Sequence, residues 1–223
     1  MPSRSPITRR DVLGTVSALG GLALVHSALG KAGSLTPTPA QTAGPFYPSP
    51  RPLEQDMDLT MLAGHTERAK GQLLDVAGRV MDRDGKPVAG ATVEIWQANS
   101  YGRYDHPKDI NPAPLDPNFQ GFGVLTTDAQ GRYRFKTIKP GAYPINPVNP
   151  AAVRTPHIHF DVAQGTRKLV TQMYFPNEPL NASDRIFAAL GAAQTAAICQ
   201  VAPEGATGEP EAMQIHWDII LAT

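Results

Sequence analysis

No strand-forming run in this chain continues for long before turn residues stop it. Asp82-Arg83-Asp84-Gly85-Lys86-Pro87 closes an alternating, partly β-branched run over Leu74–Met81 and opens another over Val88–Gln97. Asp128-Ala129-Gln130-Gly131 does the same between Phe122–Thr127 and Tyr133–Thr137, so a hairpin is expected there. Further strands are expected over Thr155–Val162, Lys168–Tyr174 and Met213–Leu221. Only Ala182–Ala193, after the turn at Pro179-Leu180-Asn181, has a helical pattern. The 22 prolines and 20 glycines are dispersed without a period, which suits a turn-rich β domain. The expected class is all-β: a β-sandwich with long ordered loops and one short helix.

The chain has 223 residues, enough for one domain plus a tail. Its 20 basic and 20 acidic residues give a net charge of zero with no charge run, which argues against nucleic-acid and anionic-membrane partners. The single cysteine, Cys199, excludes an intrachain disulfide and is expected to pack in a strand. Arg4, Arg9 and Arg10 precede a small-residue apolar run over Val12–Leu29 that is too weakly apolar for a membrane span. Thr8-Arg9-Arg10-Asp11-Val12-Leu13-Gly14 resembles a twin-arginine export signal. Residues 1–33 are therefore expected to be a signal segment, 34–40 a linker and 41–223 the folded domain. The mature protein is expected in the periplasm or otherwise outside the cytoplasm, free of the membrane.

The densest chemistry lies at Pro156-His157-Ile158-His159-Phe160. In a strand, residues i and i+2 share a face, so His157 and His159 would present two imidazoles side by side. Pro156 argues against a helix through this stretch. Two long insertions, Asn99–Gln120 and Pro140–Arg154, carry aromatics, prolines and asparagines, as ordered functional loops do. Tyr101, Tyr104 and His106 lie in the first and Tyr143 in the second. A set of imidazoles and phenolates favours a hard, oxidised metal, because phenolate is a charged oxygen donor. Asp161 shares the histidine face and competes as a carboxylate ligand, while zinc would ordinarily recruit Cys, a third His or a carboxylate. Composition alone leaves the ligands open. His65 and His106 are expected to be surface or loop residues, and Trp96 and Trp217 core aromatics.

An ordered series of segments goes further. Thr42-Ala43-Gly44-Pro45-Phe46-Tyr47, Gly90–Asn99, Gly102-Arg103-Tyr104-Asp105-His106, Ala113–Phe119, Thr137–Pro144, Arg154–Phe160 and Thr171–Phe175 together resemble the intradiol aromatic-ring-cleaving dioxygenases, most of all their protocatechuate 3,4-dioxygenase branch. The likeness runs from about Gln41 to Leu221. It implies a non-haem Fe(III) held by Tyr104, Tyr143, His157 and His159, with Tyr143 released when substrate chelates. It also implies that Arg154 and Gln172 stand beside the substrate. The implied partners are a catechol-type small molecule and O2, in a possible homo-oligomer. The implied reaction inserts O2 between the two hydroxylated carbons to give a muconate-type diacid.

The sequence departs from that branch at Ile145, where an aromatic is common, and over 146–153, which is about one residue longer. Both changes fall at the expected pocket wall and bear on the substrate. The competing expectation is a non-catalytic, transthyretin-like binding module. Val88–Val93 and Thr127–Phe135 would suit one, but such modules lack the four ligands.

Overall fold

A computed structural model of the protein describes residues 34–148, 152–201 and 209–222. The segment expected as a signal, 1–33, lies outside the described residues, as do 149–151 of the second insertion. Two sheets carry the fold. In the first, β1 (Leu73–Asp82) lies between β4 (Arg132–Ile138) on one side and β10 (Met213–His216) with β11 (Ile219–Leu221) on the other; β10 also pairs with β9 (Gln200–Val201). In the second, β3 (Phe122–Thr126), β2 (Thr92–Trp96), β7 (His157–Gln164) and β8 (Arg167–Tyr174) follow one another, all antiparallel. A two-stranded ribbon, β5 (Tyr143–Pro144) with β6 (Val153–Arg154), stands apart.

Strand alternation decides what each face buries. Ile158, Phe160 and Val162 of β7 are wholly buried and belong to one cluster with Val93 and Ile95 of β2 and Val76 and Phe135 of the opposite sheet. Phe160 ties the layers together, with ring centroids 6.0 Å from Phe135 and 5.0 Å from Trp217. Burying a side chain of this size stabilises the fold by about 1.5–3 kcal/mol. The intervening residues His157, His159 and Asp161 consequently point to the outer face of the second sheet.

The hairpin expected across Asp128–Gly131 is not one. β3 pairs with β2 and β4 with β1, so the turn carries the chain from one sheet to the other. The chain crosses likewise between β1 and β2, after a short turn closed by Asp82 N–H donating to the Lys86 carbonyl at 2.9 Å. Alternation marks a strand but not its partner, and both inner faces are satisfied equally well across the sandwich. The expected last strand divides at Trp217-Asp218, and both halves run parallel to β1. At that break Trp217 crosses so close to β1 that a Cβ on Gly78 would stand 1.8 Å from its carbonyl oxygen.

Helical turns fall where a helix is expected, but in pieces: Pro179–Ala182, α1 (Arg185–Ala188), Gly191–Ala193 and α2 (Gln194–Ala197). Asp184 starts α1 afresh as its N-cap, and Gly191 at φ +54° breaks the run. The 34–40 stretch, expected as a linker, lies along the sandwich. Leu35 N–H donates to Arg83 O at 2.7 Å, Thr38 N–H to Ile220 O at 3.0 Å, and Pro39 O accepts from the Thr171 hydroxyl at 2.8 Å. Cys199 is buried between α2 and β9, and burial pushes its thiol up to about 12, an inert packing group.

Candidate metal centre

The outer face of the second sheet is covered rather than wet. His157 and His159 are 1% and 2% exposed. Register places Trp96 of β2 and Gln172 of β8 on either side of His159, and Tyr174 opposite His157. Trp96 is therefore not a filler of the central core, as Trp217 is. Its indole stacks on the His159 ring at 4.8 Å and an 8° interplanar angle. Loops complete the cover. Gly102, at φ +77°, lets the Tyr104 loop press onto the Tyr143 loop, and a Cβ there would stand 2.2 Å from Ala142 O. Tyr143 then faces Arg154 directly across the β5–β6 ribbon.

The four expected ligand residues close a circuit of rings. Centroid separations are 4.8 Å for His157–His159, 5.7 Å for His157–Tyr143, 5.5 Å for Tyr143–Tyr104 and 6.4 Å for Tyr104–His159. The His157 Nδ1 lies 2.6 Å from Thr155 O. A carbonyl only accepts, so Nδ1 carries the proton and Nε2 offers its lone pair inward. That Nε2 stands 3.2 Å from Nε2 of His159. Two nitrogens bound at about 2.1 Å to one metal, roughly at right angles, would be about 3 Å apart, so this spacing fits a shared ion. The Tyr104 hydroxyl is buried without a well-formed hydrogen bond. An unsatisfied buried polar group costs about 1–3 kcal/mol unless something meets it, and a metal would.

Electrostatics point the same way. Burial pushes the imidazoles of His157 and His159 well below 6.5, with Arg154 adding to the effect, so both are neutral donors at pH 7. Burial raises both phenols above 10, Tyr104 strongly, and the Arg154 charge works against that rise in each. The phenols shed their protons only to a strong cation. Among the described residues, no three His, Cys, Asp or Glu side chains stand together as a metal cluster, and the buried rings beside the imidazole pair include the two phenols. The competing carboxylate, Asp161, is engaged by Lys168 Nζ at 3.0 Å.

Arg154 is buried beside this cluster. Its Nε donates to Asp184 at 2.9 Å and its Nη2 to Gln172 Oε1 at 2.6 Å. Gln172 Nε2 donates to Thr42 O at 2.9 Å, and the Tyr174 hydroxyl donates to Gln41 Oε1 at 2.8 Å. Arg154 and Gln172 thus stand together. Tyr174, Asp184, Gln41 and Trp96 were not anticipated at the site. Tyr174 follows Gln172 at strand spacing, and that period was the signal available. Of the two loop histidines, His65 Nδ1 pairs with Asn118 Oδ1 at 2.8 Å, and His106 Nδ1 accepts from Lys108 N–H at 3.1 Å.

A dioxygenase family model matches residues 42–223. The chain belongs to the intradiol ring-cleavage dioxygenases. It is 48% identical over 169 residues to the protocatechuate 3,4-dioxygenase beta chain of Burkholderia cepacia, covering 74% of this chain and 71% of that one. It is 36% identical over 155 residues to the hydroxyquinol 1,2-dioxygenase of Rhizobium sp. (strain MTP-10005), covering 65% of this chain and half of that one. Among solved structures, it resembles the dioxygenase domain of a dioxygenase carbohydrate-binding protein fusion from Streptomyces sp. SirexAA-E. That match has a TM-score of 0.61 and 29% identity, and covers 84% of this chain and 99% of that domain. Membership in this enzyme family displaces the transthyretin-like binding module.

Proposed function

We propose that the protein is a non-haem Fe(III) dioxygenase that opens a protocatechuate-like catechol between its two hydroxylated carbons. Tyr104, Tyr143, His157 and His159 hold the iron. The observation that carries this is the pair of inward imidazole nitrogens, 3.2 Å apart, enclosed by two buried phenols. Ferric iron, when bound, supplies Lewis acidity toward a chelated diol and accepts electron density from its ring, opening the ring to O2.

The chain's own groups do the rest. Tyr143, the phenol that faces Arg154, accepts a substrate hydroxyl proton at its phenolic oxygen as the diol binds. Arg154 offsets the negative charge that this proton transfer leaves on the bound diol with a cation that cannot deprotonate. Gln172, held by Arg154 and by Thr42, lines the same space. Trp96 and the loops over the sheet exclude bulk water. The preference for a carboxylated catechol is supported by the 48% identity to the Burkholderia beta chain. The 1–33 segment, with its Arg9-Arg10 pair, supports export by the twin-arginine route.

Oxygen uptake against catechol, protocatechuate and hydroxyquinol, with product analysis, tests the reading. The expected product is a muconate-type diacid, with protocatechuate the best substrate. Products of cleavage beside the hydroxyls, or no uptake by iron-loaded protein, would overturn it.

A further inference from the structure

One buried carboxylate outside the four-ring circuit is engaged on both oxygens. Asp184 has no exposed surface. Its Oδ1 caps α1, accepting from the backbone N–H of Ile186 at 2.8 Å and of Phe187 at 3.1 Å. Its Oδ2 accepts from Arg154 Nε and from the Thr155 N–H, each at 2.9 Å. Asn181 adds a second hold on the same place: its Oδ1 accepts from the Thr155 hydroxyl at 2.8 Å, and its Nδ2 donates to Phe175 O at 2.9 Å.

Two things follow for the site. A guanidinium is planar, so fixing Nε on Asp184 and Nη2 on Gln172 fixes the direction of Nη1. Among the described residues Nη1 has no hydrogen-bond partner, so it remains for a bound anion. Thr155, held by its N–H and its hydroxyl, has its carbonyl oriented toward His157 Nδ1. One carboxylate therefore governs both the cation beside the substrate and the tilt of one imidazole. Helix capping alone does not require it, since Ser or Asn caps comparably and needs no charge.

We propose that Asp184 is a positioning residue for ring cleavage: it aims Arg154 and, through Thr155, seats His157. This rests on the intradiol reading above. Asn at 184 must turn its amide donors toward either the α1 N–H groups or Arg154, so it keeps one set of contacts and loses the other.

The test is a double-mutant cycle of Asp184→Asn and Arg154→Lys in the iron-loaded enzyme. It is read by kcat/KM, and independently by calorimetric affinity for catechol without oxygen. Asp184→Ser, which can still cap α1, is the second variant should Asn fold poorly. Asp184→Asn is expected to lower kcat/KM, measured per bound iron, about 10- to 100-fold, the worth of a charge-assisted hydrogen bond. Added to Arg154→Lys it should cost clearly less than it costs alone, in turnover and in affinity alike, because only the hold on His157 through Thr155 is then left to lose. Losses that multiply fully in the double variant, or wild-type kcat/KM and affinity in both Asp184 variants, would overturn the proposal. Wild-type protein that binds catechol but takes up no oxygen would instead sink the intradiol reading, and the affinity cycle would still decide whether Asp184 acts through Arg154.

Discussion

Removing the Arg154 charge is expected to be costly, and the structure sets how costly. Arg154 and Asp184 side chains are 5% and 0% exposed. Breaking such a buried pair from one side usually costs about 3–5 kcal/mol, because an uncompensated charge is left behind. In Arg154→Met, however, Asp184 keeps three backbone donors, from Thr155, Ile186 and Phe187. Gln172 Oε1 can still be met by the Tyr174 hydroxyl, 3.0 Å away, if that proton turns from Gln41. The loss should therefore fall at the lower end, about 3 kcal/mol. The reference is Arg132→Met. Arg132 is 59% exposed and its partner Asp128 41%, so solvent screens the pair and the loss should be far smaller. Urea unfolding of both variants at neutral pH and equal protein concentration gives the comparison. Equal losses in the two would show that burial, as opposed to the mere presence of an ion pair, does not set what the Arg154 pair contributes.

Two more outcomes are expected. Burial keeps His157 and His159 well below 6.5, so in metal-free protein they stay neutral while the unfolded chain takes up protons as pH falls past that value. The unfolded state then binds more protons, and stability should fall by about 1.4 kcal/mol per pH unit for each histidine below about pH 6.5, and hold steady above it. Urea midpoints between about pH 7.5 and about pH 5.5 measure the slope, which should flatten in His159→Asn; equal slopes would count against neutral burial. Gly102→Ala should cost more than the about 1–2 kcal/mol of a left-handed backbone, because its Cβ would also meet Ala142 O at 2.2 Å. It should lower iron content by moving the Tyr143 loop, and a variant with normal iron and stability would show that the two loops are not interlocked there.

The face of the histidine pair was legible because strand period is strict and Pro156 removes the helical alternative. The turns were legible from Asp and Gly, but not which sheet each strand joins, since a crossing turn and a hairpin turn use the same residues. The choice of Tyr104 and Tyr143 as proposed ligands needed the family likeness, because Tyr101, Tyr104 and Tyr143 are equivalent as composition. In the structure Tyr101 is 41% exposed whereas Tyr104 and Tyr143 are buried. The supporting network was hidden by distance along the chain. Gln41 reaches Tyr174 across 133 positions, and Asp184 reaches Arg154 across 30. Asp184 had a local signal as the start of a helix, but nothing local could say that its second oxygen serves an arginine.

Two neutral imidazoles and two phenolates are proposed to grip one ferric ion. Metal analysis and the visible spectrum of purified wild type, Tyr104→Phe and Tyr143→Phe test it most directly. A red protein with iron in equal ratio to chain is expected, with a visible band that weakens or shifts in each variant. A colourless or zinc-loaded wild type, or a red band untouched in both variants, would contradict it.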